Sequence, residues 1–262
     1  MSLVVTLITA TWGLMILFTI AYLLARRMDN YGIVDIVWAY CFTAVAWYYA
    51  WVGPGFHSRK VLLALLGSAW SLRLGTHLYR RVMGHHPEED SRYRQLRTDW
   101  AGVFAPKMFG FFQLQAISVI ILSTPFLIPT RNVFPGLNLW ELAGTAIVVI
   151  SLFGEGLADT QLAAFRRDSA SKGKVCDVGL WRYSRHPNYF FEWCIWVGFC
   201  CFACGSSWGW ISVIAPLSIL YLLLNVTGVP MAEASSLQSK GDAFRAYQRR
   251  TNAFFPGPPK SN

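Results

Sequence analysis

Ionisable residues inside apolar stretches are the positions of this 262-residue chain where chemistry is expected. A charged group in hydrocarbon is costly unless it is paired or hydrated, so such residues mark candidate functional sites. Glu155, Asp159 and Arg166 occur at i, i+4 and i+11, which places them on roughly one stripe of a helix. Asn188 and Glu192 repeat the i, i+4 spacing in the next apolar stretch.

The segment between these two stripes is basic and could bind a phosphorylated ligand. It supplies six cations: Arg166, Arg167, Lys172, Lys174, Arg182 and Arg185. Guanidinium and ammonium groups bind phosphate well, and carboxylates with an amide suit ribose hydroxyls or a carboxamide. A ligand site is therefore favoured over the alternative, a charge network that only holds the helices together. Neither GxGxxG nor GxxxxGK[ST] occurs, so a Rossmann or P-loop binding mode is not supported.

A second group of polar residues lies in the N-terminal half of the chain. Asp35 and Trp38 are one helical turn apart, and Arg73 and His77 are one turn apart in the next apolar stretch. An aspartate in a low-dielectric site can remain protonated and donate a hydrogen bond. The alternative is an Asp35–Arg73 salt bridge that only joins two helices, and the sequence does not decide between the two.

The elements that must position these residues are membrane helices. Hydrophobic residues make up 54% of the chain and charged residues only 14%, which is too apolar for an ordinary soluble domain. Apolar runs long enough to cross a bilayer occur at 3–25, 33–53, 60–79, 107–128, 138–164, 188–205 and 208–231. The predicted fold is therefore an all-α, polytopic membrane protein with seven transmembrane helices.

The distribution of lysine and arginine predicts how these helices are oriented. With the N-terminus outside and the C-terminus cytoplasmic, the inside segments carry nineteen basic residues and the outside loops carry three. Such an excess is what the positive-inside rule expects of a correct number of spans. The basic loop between the two polar stripes is then on the cytoplasmic face. The C-terminal segment 233–256 is predicted to form an amphipathic helix on the same face.

No metal site, disulfide framework or nucleic-acid partner is predicted. The six cysteines have no histidine or carboxylate partner nearby in sequence, and buried free cysteine behaves as a small hydrophobe. His85 and His86 with three neighbouring carboxylates could bind a metal, but a solvated charged loop is the favoured interpretation. The basic residues are split among several loops, and no nucleic-acid recognition module occurs.

Two segments carry a resemblance to a known family. RHPNY at 185–189 is followed by the carboxylate of Glu192, and the C-terminal segment begins with EASSL at Glu233 and ends with YQRRTNAFFP at Pro256. Together they resemble the membrane steroid 5α-reductases (3-oxo-5α-steroid 4-dehydrogenases), particularly the bacterial branch. The resemblance covers most of the chain and is strongest over 155–256. The same RHPNY turn recurs in sterol C14- and C7-reductases, and RHPxY recurs in isoprenylcysteine-type methyltransferases.

The resemblance implies an enzyme of the bacterial inner membrane that uses NADPH from the cytoplasmic side. Its reaction is reduction of the C4–C5 double bond of a 3-oxo-Δ4 steroid, by a monomer whose partners are a steroid or sterol-like enone and membrane lipid. The alternatives are a sterol C14/C7-type reductase and an S-adenosylmethionine-dependent membrane methyltransferase acting on isoprenylcysteine or phospholipid. The chain is expected to form one domain over 1–262, with 1–128 mainly on the substrate side and 138–256 mainly on the cofactor side.

The resemblance also implies roles for individual residues. Asn188 and Glu192 match the family's nicotinamide contacts, and Asp159 and Arg166 match its adenine-nucleotide contacts. The expected cofactor-binding set is Glu155, Asp159, Arg166, Arg167, Lys174, Tyr183, Arg185, His186, Asn188, Tyr189 and Glu192.

On the substrate side, a hydrogen-bond donor near Asp35 is expected to polarise the ketone oxygen while hydride reaches the β-carbon of the enone. The family's substrate-facing carboxylate and tyrosine correspond to Asp35 and Trp70. Because no tyrosine matches at Trp70, Tyr40 and Tyr79 are candidate donors. The expected catalytic set is Asp35, Trp38, Tyr40 and Arg73.

Overall fold

The computed structural model describes residues 1–260, and all regular secondary structure within them is helical. The first helices are α1 (Leu3–Met28), α2 (Ile33–Val52), α3 (His57–Gly84), α4 (Ser91–Asp99), α5 (Phe104–Leu122) and α6 (Thr124–Leu127). The remaining helices are α7 (Leu139–Arg167), α8 (Pro187–Cys204), α9 (Ile214–Asn225) and α10 (Val229–Arg250). Short 3₁₀ helices occur at Pro129–Arg131, Ser169–Ser171, Gly179–Arg182 and Gly209–Val213.

Within residues 1–260, six helical segments are long and apolar enough to cross a membrane. They are α1, α2, α3, α5, α7 and the segment that contains α9. The prediction of an all-helical, polytopic membrane protein is therefore confirmed. The seventh predicted span, 188–205, is present as the 18-residue helix α8 but is not among the six. Its first turns carry the polar residues Asn188 and Glu192, which reduce its apolar character.

The chain divides into two compact units. The first consists of Met1–Asn138 with Gly205–Ser212, and the second of Leu139–Cys204 with the chain from Val213 onward. Each unit therefore contains one of the two groups of polar residues that the sequence singled out. The division into a substrate side ending at 128 and a cofactor side beginning at 138 stays a prediction.

In the first unit, α2 packs closely along α3. The ring of Tyr40 lies so close to Gly75 that a Cβ there would be 2.6 Å from two ring carbons. Ser71 of α3 donates a hydrogen bond to the carbonyl of Ala39 at 2.6 Å. Small residues at a helix interface allow such close approach, and a hydroxyl can add an interhelical hydrogen bond.

In the second unit, α7 and α8 are in contact at the level of the backbone. A Cβ added to Gly144 would lie 2.4 Å from the nitrogen of Phe202 and 2.6 Å from the carbonyl oxygen of Gly198. Glycine is therefore required at Gly144, because any side chain would push the two helices apart. Because the two helices pack this closely, the polar stripe of α7 and the polar stripe of α8 lie on neighbouring helices.

The predicted C-terminal helix is present as α10, and it is bent. Gly241 interrupts the helix with φ 51° and ψ −123°, a conformation that favours glycine. The face that α10 buries carries Phe244 and Tyr247. Asn252 accepts a hydrogen bond from the backbone N–H of Arg185 through its carbonyl at 2.9 Å, so the segment after α10 contacts the RHPNY turn.

Candidate functional site

The two predicted polar stripes meet at Asn188. Its side-chain Nδ2 donates to Asp159 Oδ1 across 3.3 Å, and its Oδ1 accepts from the backbone N–H of Tyr189 at 3.0 Å. The amide is thus held at both ends, with its NH₂ group toward α7. One turn further along α8, Glu192 Oε1 accepts a hydrogen bond from Trp196 Nε1 at 3.0 Å. The predicted convergence of Asp159 and Asn188 is therefore present in the structure.

Glu155 lies one turn before Asp159 on α7 and is buried, with 6% of its surface exposed. Close by along α7, a Cβ at Gly154 would lie 2.5 Å from the ring of Phe191. The ring of Phe191 on α8 thus fits against glycine on α7. Within two turns, α7 therefore carries two carboxylates, while α8 carries an amide, an aromatic ring and a carboxylate.

The loop between α7 and α8 is fastened to α7 near Gln161. Gln161 Oε1 accepts from the backbone N–H of Leu180 at 2.9 Å, and Trp181 Nε1 donates to the carbonyl of Ala158 at 2.9 Å. Gly179 has φ 58°, and a Cβ there would lie 2.5 Å from Gln161 Oε1, so only glycine fits this turn. The loop is therefore ordered close to the polar stripe of α7.

The cations of this loop remain at its surface. Five of the six side chains are exposed and form no ion pair or side-chain hydrogen bond within residues 1–260. These five are Arg166, Arg167, Lys172, Lys174 and Arg182. Tyr183 is also exposed. Unpaired guanidinium and ammonium groups are able to bind an anion without first breaking an internal salt bridge.

Arg185 and His186 of the RHPNY turn are instead held by the C-terminal helix. Arg185 Nε donates to Glu233 Oε1 at 2.7 Å, and Nη1 donates to the carbonyls of Gln248 and Thr251 at 3.1 and 2.5 Å. His186 Nε2 lies 3.3 Å from the same carboxylate oxygen. The Arg185 and Glu233 side chains are only 11% and 15% exposed. This ion pair joins the turn to α10, a structural role that the sequence did not predict.

Aromatic rings cover the start of α8. The rings of His186 and Tyr189 are stacked, with centroids 5.3 Å apart and an interplanar angle of 6°. Phe190 packs edge-on against Phe254 and Phe255 of the C-terminal segment, with centroids 6.0 and 6.2 Å apart. The C-terminal segment therefore stabilises the part of α8 that presents Asn188.

In the first unit, the carboxylate of Asp35 is bound by α4. Arg92 Nη2 lies 2.8 Å from Asp35 Oδ2, and the hydroxyl of Tyr93 donates to Oδ1 at 2.7 Å. The predicted alternative of an Asp35–Arg73 salt bridge is therefore wrong, because α4 folds back onto the first turn of α2.

A network of ion pairs surrounds this carboxylate. Asp90 is shared between Arg81 and Arg92, at 2.6 and 3.1 Å. Burial opposes ionisation of Asp90, but the hydrogen bonds and charge of Arg92 lower its pKa to about 2. Burial and the Asp35 carboxylate raise the pKa of the Tyr93 phenol well above its usual value. Tyr93 therefore stays protonated and acts as a donor.

Comparison with known proteins gives the family. A family described as "Protein of unknown function (DUF1295)" matches residues 21–251, which include Asp35, Asp159 and Asn188. The chain belongs to the DUF1295 family. A relative, an uncharacterized protein of Schizosaccharomyces pombe (strain 972), is 26% identical over 255 residues. That alignment covers 87% of this chain and 73% of the relative. No solved structure matches the chain significantly.

The other predicted catalytic residues of this DUF1295 protein are engaged in packing contacts. Trp38 Nε1 donates to Ser118 Oγ at 3.0 Å, and the hydroxyl of Tyr40 lies 3.1 Å from Thr76 Oγ1. Trp70, the predicted counterpart of the family's tyrosine, is fully buried. The hydrogen-bond partners of Asp35 are instead Arg92 and Tyr93.

Arg73 is partly buried on α3, and Tyr79 near the end of the same helix is about half exposed. Neither is a partner of Asp35, whose carboxylate is bound by Arg92 and Tyr93. The sequence therefore did not predict the two donors on α4, Arg92 and Tyr93, in this DUF1295 protein. An Arg-Tyr pair in the longest polar interval of the sequence was the available signal.

Proposed function

We propose that this DUF1295 protein reduces the C4–C5 double bond of 3-oxo-Δ4 steroids, or of a similar conjugated enone, with NADPH. The observation that carries the proposal is the hydrogen bond between Asn188 and Asp159. It brings the amide of one predicted stripe to the carboxylate of the other, beside a loop of unpaired cations. DUF1295 is a family associated with steroid 5α-reductase-like membrane proteins, which supports the same reaction.

The side chains of the second unit suit a phosphorylated dinucleotide. Exposed Arg166, Arg167 and Lys174 would hold its phosphates, including the 2′-phosphate that distinguishes NADPH from NADH. Asp159 would accept hydrogen bonds from a ribose hydroxyl, and Asn188 would bind the nicotinamide carboxamide. When bound, NADPH supplies the hydride for reduction of the enone.

Two further residues are assigned to the same site. Glu192, whose carboxylate is oriented by Trp196, would act with Asn188 at the nicotinamide end. Glu155, buried one turn from Asp159, would accept a hydrogen bond from the ribose end.

For the first unit we propose that Asp35 and its two donors form the oxygen-polarising group. Arg92 remains charged, so it can place positive charge near a developing enolate oxygen, while Tyr93 holds the Asp35 carboxylate through its single O–H. A donor positioned at such an oxygen is typically worth ~3–4 kcal/mol in the transition state. This assignment replaces Trp70, which is buried in the core.

We also propose seven spans in a bacterial inner membrane, with the N-terminus outside and the C-terminus in the cytoplasm. Helix α8 has 18 residues, which at 1.5 Å per residue is about 27 Å, close to the hydrocarbon thickness. Counting α8 as a span leaves nineteen basic residues inside and three outside. The basic loop would then face cytosolic NADPH.

The proposal is tested with the purified protein in detergent. NADPH oxidation is followed by absorbance with progesterone as the enone and with a saturated-ring steroid as the control. We expect oxidation with progesterone only, and much weaker activity with NADH. Retention of S-adenosylmethionine in place of NADPH would contradict the proposal in favour of a methyltransferase. Turnover of Δ14- or Δ7-sterols without turnover of progesterone would contradict the assigned double bond.

A further inference from the structure

Within the first unit, a cavity of about 300 Å³ lies where α3 ends and α4 begins. Its walls come from the last turn of α3, the polar turn that follows and the first turn of α4, from Arg81 to Arg94. This volume is at the lower end of the range for small-molecule pockets, so it suits a small polar group. None of the reactions considered above uses this cavity.

Two carboxylates in the wall of this cavity are already neutralised. Glu89 accepts from Arg97 Nε at 2.7 Å and from the backbone N–H of Tyr31 at 2.7 Å. Asp90 is held by Arg81 and by Arg92. Both carboxylates already have hydrogen-bond partners within the protein. They therefore form part of the cavity wall and are not expected to bind a ligand.

Two lining side chains of opposite charge have no such partner. Arg94 and Glu88 are exposed, and their side chains form no hydrogen bond or ion pair within the described part of the chain, residues 1–260. His85 Nδ1 lies 2.7 Å from the carbonyl of Arg81 and must donate to it, because a carbonyl only accepts. In neutral His85 this leaves Nε2 as an acceptor.

The cavity therefore offers a cation beside two acceptors. The guanidinium of Arg94 and the hydroxyl of Ser91 suit a phosphate, whereas the Glu88 carboxylate and His85 Nε2 suit a primary ammonium group. A ligand that carries both charges a few atoms apart would satisfy all four groups. An anion alone would face the unpaired carboxylate of Glu88.

The position of the cavity favours a lipid as the source of such a ligand. Helix α3 is one of the candidate membrane spans, and the cavity is lined from Arg81 onward, where that span ends at Gly84. The end of a span is the level of phospholipid headgroups. Among residues 1–260, no tyrosine, tryptophan or phenylalanine lines the cavity, so it lacks the aromatic groups that bind quaternary ammonium.

We propose that this cavity binds the headgroup of a phospholipid with a primary amine, such as phosphatidylethanolamine. The phosphate lies at Arg94 and Ser91, and the ammonium group lies at Glu88 and His85. The site belongs to the first unit alone and does not depend on the identity of the reaction.

The test measures lipid affinity of the delipidated protein by native mass spectrometry with phosphatidylethanolamine, phosphatidylcholine and phosphatidylglycerol of matched chains. We expect the tightest binding with phosphatidylethanolamine. Glu88→Gln and Arg94→Gln should each weaken that binding about tenfold, the effect of losing one charge-assisted contact. Asp242→Asn and Arg245→Gln remove an exposed ion pair of α10 and serve as matched controls. Circular dichroism confirms that each variant is folded.

Three outcomes would overturn the proposal. Equal affinity for the ethanolamine and choline lipids would exclude recognition of a primary amine. Tighter binding of phosphatidylglycerol would show an anion site in which Glu88 has no role. Binding of soluble glycerophosphoethanolamine without any binding of the lipid would exclude a membrane source. Competition between that soluble headgroup and the lipid would support the assignment of the cavity to the headgroup.

Discussion

At the scale of the residue, Asn188 offers the sharpest test of the cofactor site. Asn188→Ala removes the amide that bonds Asp159, and the net loss of one hydrogen bond destabilises a fold by only about 1 kcal/mol. We expect the Kd for NADPH to rise at least about tenfold, equivalent to ~1.4 kcal/mol. The measurement is titration of nucleotide fluorescence with the purified protein.

Asn225→Ala is the control for that measurement. Asn225 on α9 is exposed, and its amide donates to the carbonyl of Tyr221 at 3.2 Å, so the same chemical group is lost away from the proposed site. This variant should bind NADPH as the wild-type protein does. Unchanged affinity in Asn188→Ala as well would remove Asn188 from the site.

Glu233 gives a second prediction at this scale, for stability. Glu233→Gln leaves the largely buried Arg185 guanidinium without a counter-charge. Removing one partner of a buried pair costs roughly 3–5 kcal/mol, and we expect about 2–3 because both side chains retain some exposure. Thermal unfolding in detergent should show a clearly lowered midpoint. Asp242→Asn, which breaks only an exposed ion pair, should leave the midpoint unchanged.

The sequence predicted some of these contacts and could not predict others. Asp159 and Asn188 were predicted as site residues because each lies in an i, i+4 pattern. Such a pattern depends only on residues close together in the sequence. Arg92 is 57 positions from Asp35, and Glu233 is 48 positions from Arg185. Such pairs depend on how the chain folds back on itself, which no local pattern specifies.

At the scale of the element, the crossing of α7 and α8 depends on glycine. Gly144→Ala would put a Cβ 2.4 Å from a backbone nitrogen of α8, so the helices must separate. We expect destabilisation of roughly 1–3 kcal/mol, the usual effect of overpacking, together with weaker NADPH binding. Both are measured on the purified protein, by thermal unfolding and nucleotide titration.

Gly156→Ala is the matched control on the same helix. A Cβ at Gly156 would meet no atom within 4 Å, and alanine is a better helix former than glycine. This variant should be as stable as the wild-type protein or slightly more stable. Destabilisation of both variants alike would show that flexibility of α7, and not its contact with α8, is what glycine provides.

The ends of two predicted spans differ from the ends of the observed helices, because the spans were predicted from hydropathy. Helix α3 runs from His57 to Gly84, beyond the predicted 60–79, because its last turns carry arginines that the apolar criterion excludes. The predicted span 208–231 is divided, since α9 ends at Asn225 and Pro230 lies in the first turn of α10. Proline suits a helix start, so it begins a new helix here and does not bend the old one.

At the scale of the whole molecule, the proposed topology depends on whether α8 crosses the membrane. Its polar first turns keep it out of the six helical segments that qualify by length and composition within residues 1–260. Those same residues belong to the proposed cofactor site. The polar side chains that the proposed function requires therefore lower the hydropathy of α8. Ionisable groups within a span are typical of binding sites in membrane proteins.

Cysteine labelling of intact cells tests the crossing directly. Ser169→Cys precedes α8 and Ser207→Cys follows it, and both serine side chains are exposed. In a background without the six native cysteines, a membrane-impermeant maleimide should label position 207 from outside and position 169 only after permeabilisation. Labelling of both positions from one side would mean that α8 does not cross. The proposed count of seven spans would then be wrong, and with it the separation of nineteen basic residues from three.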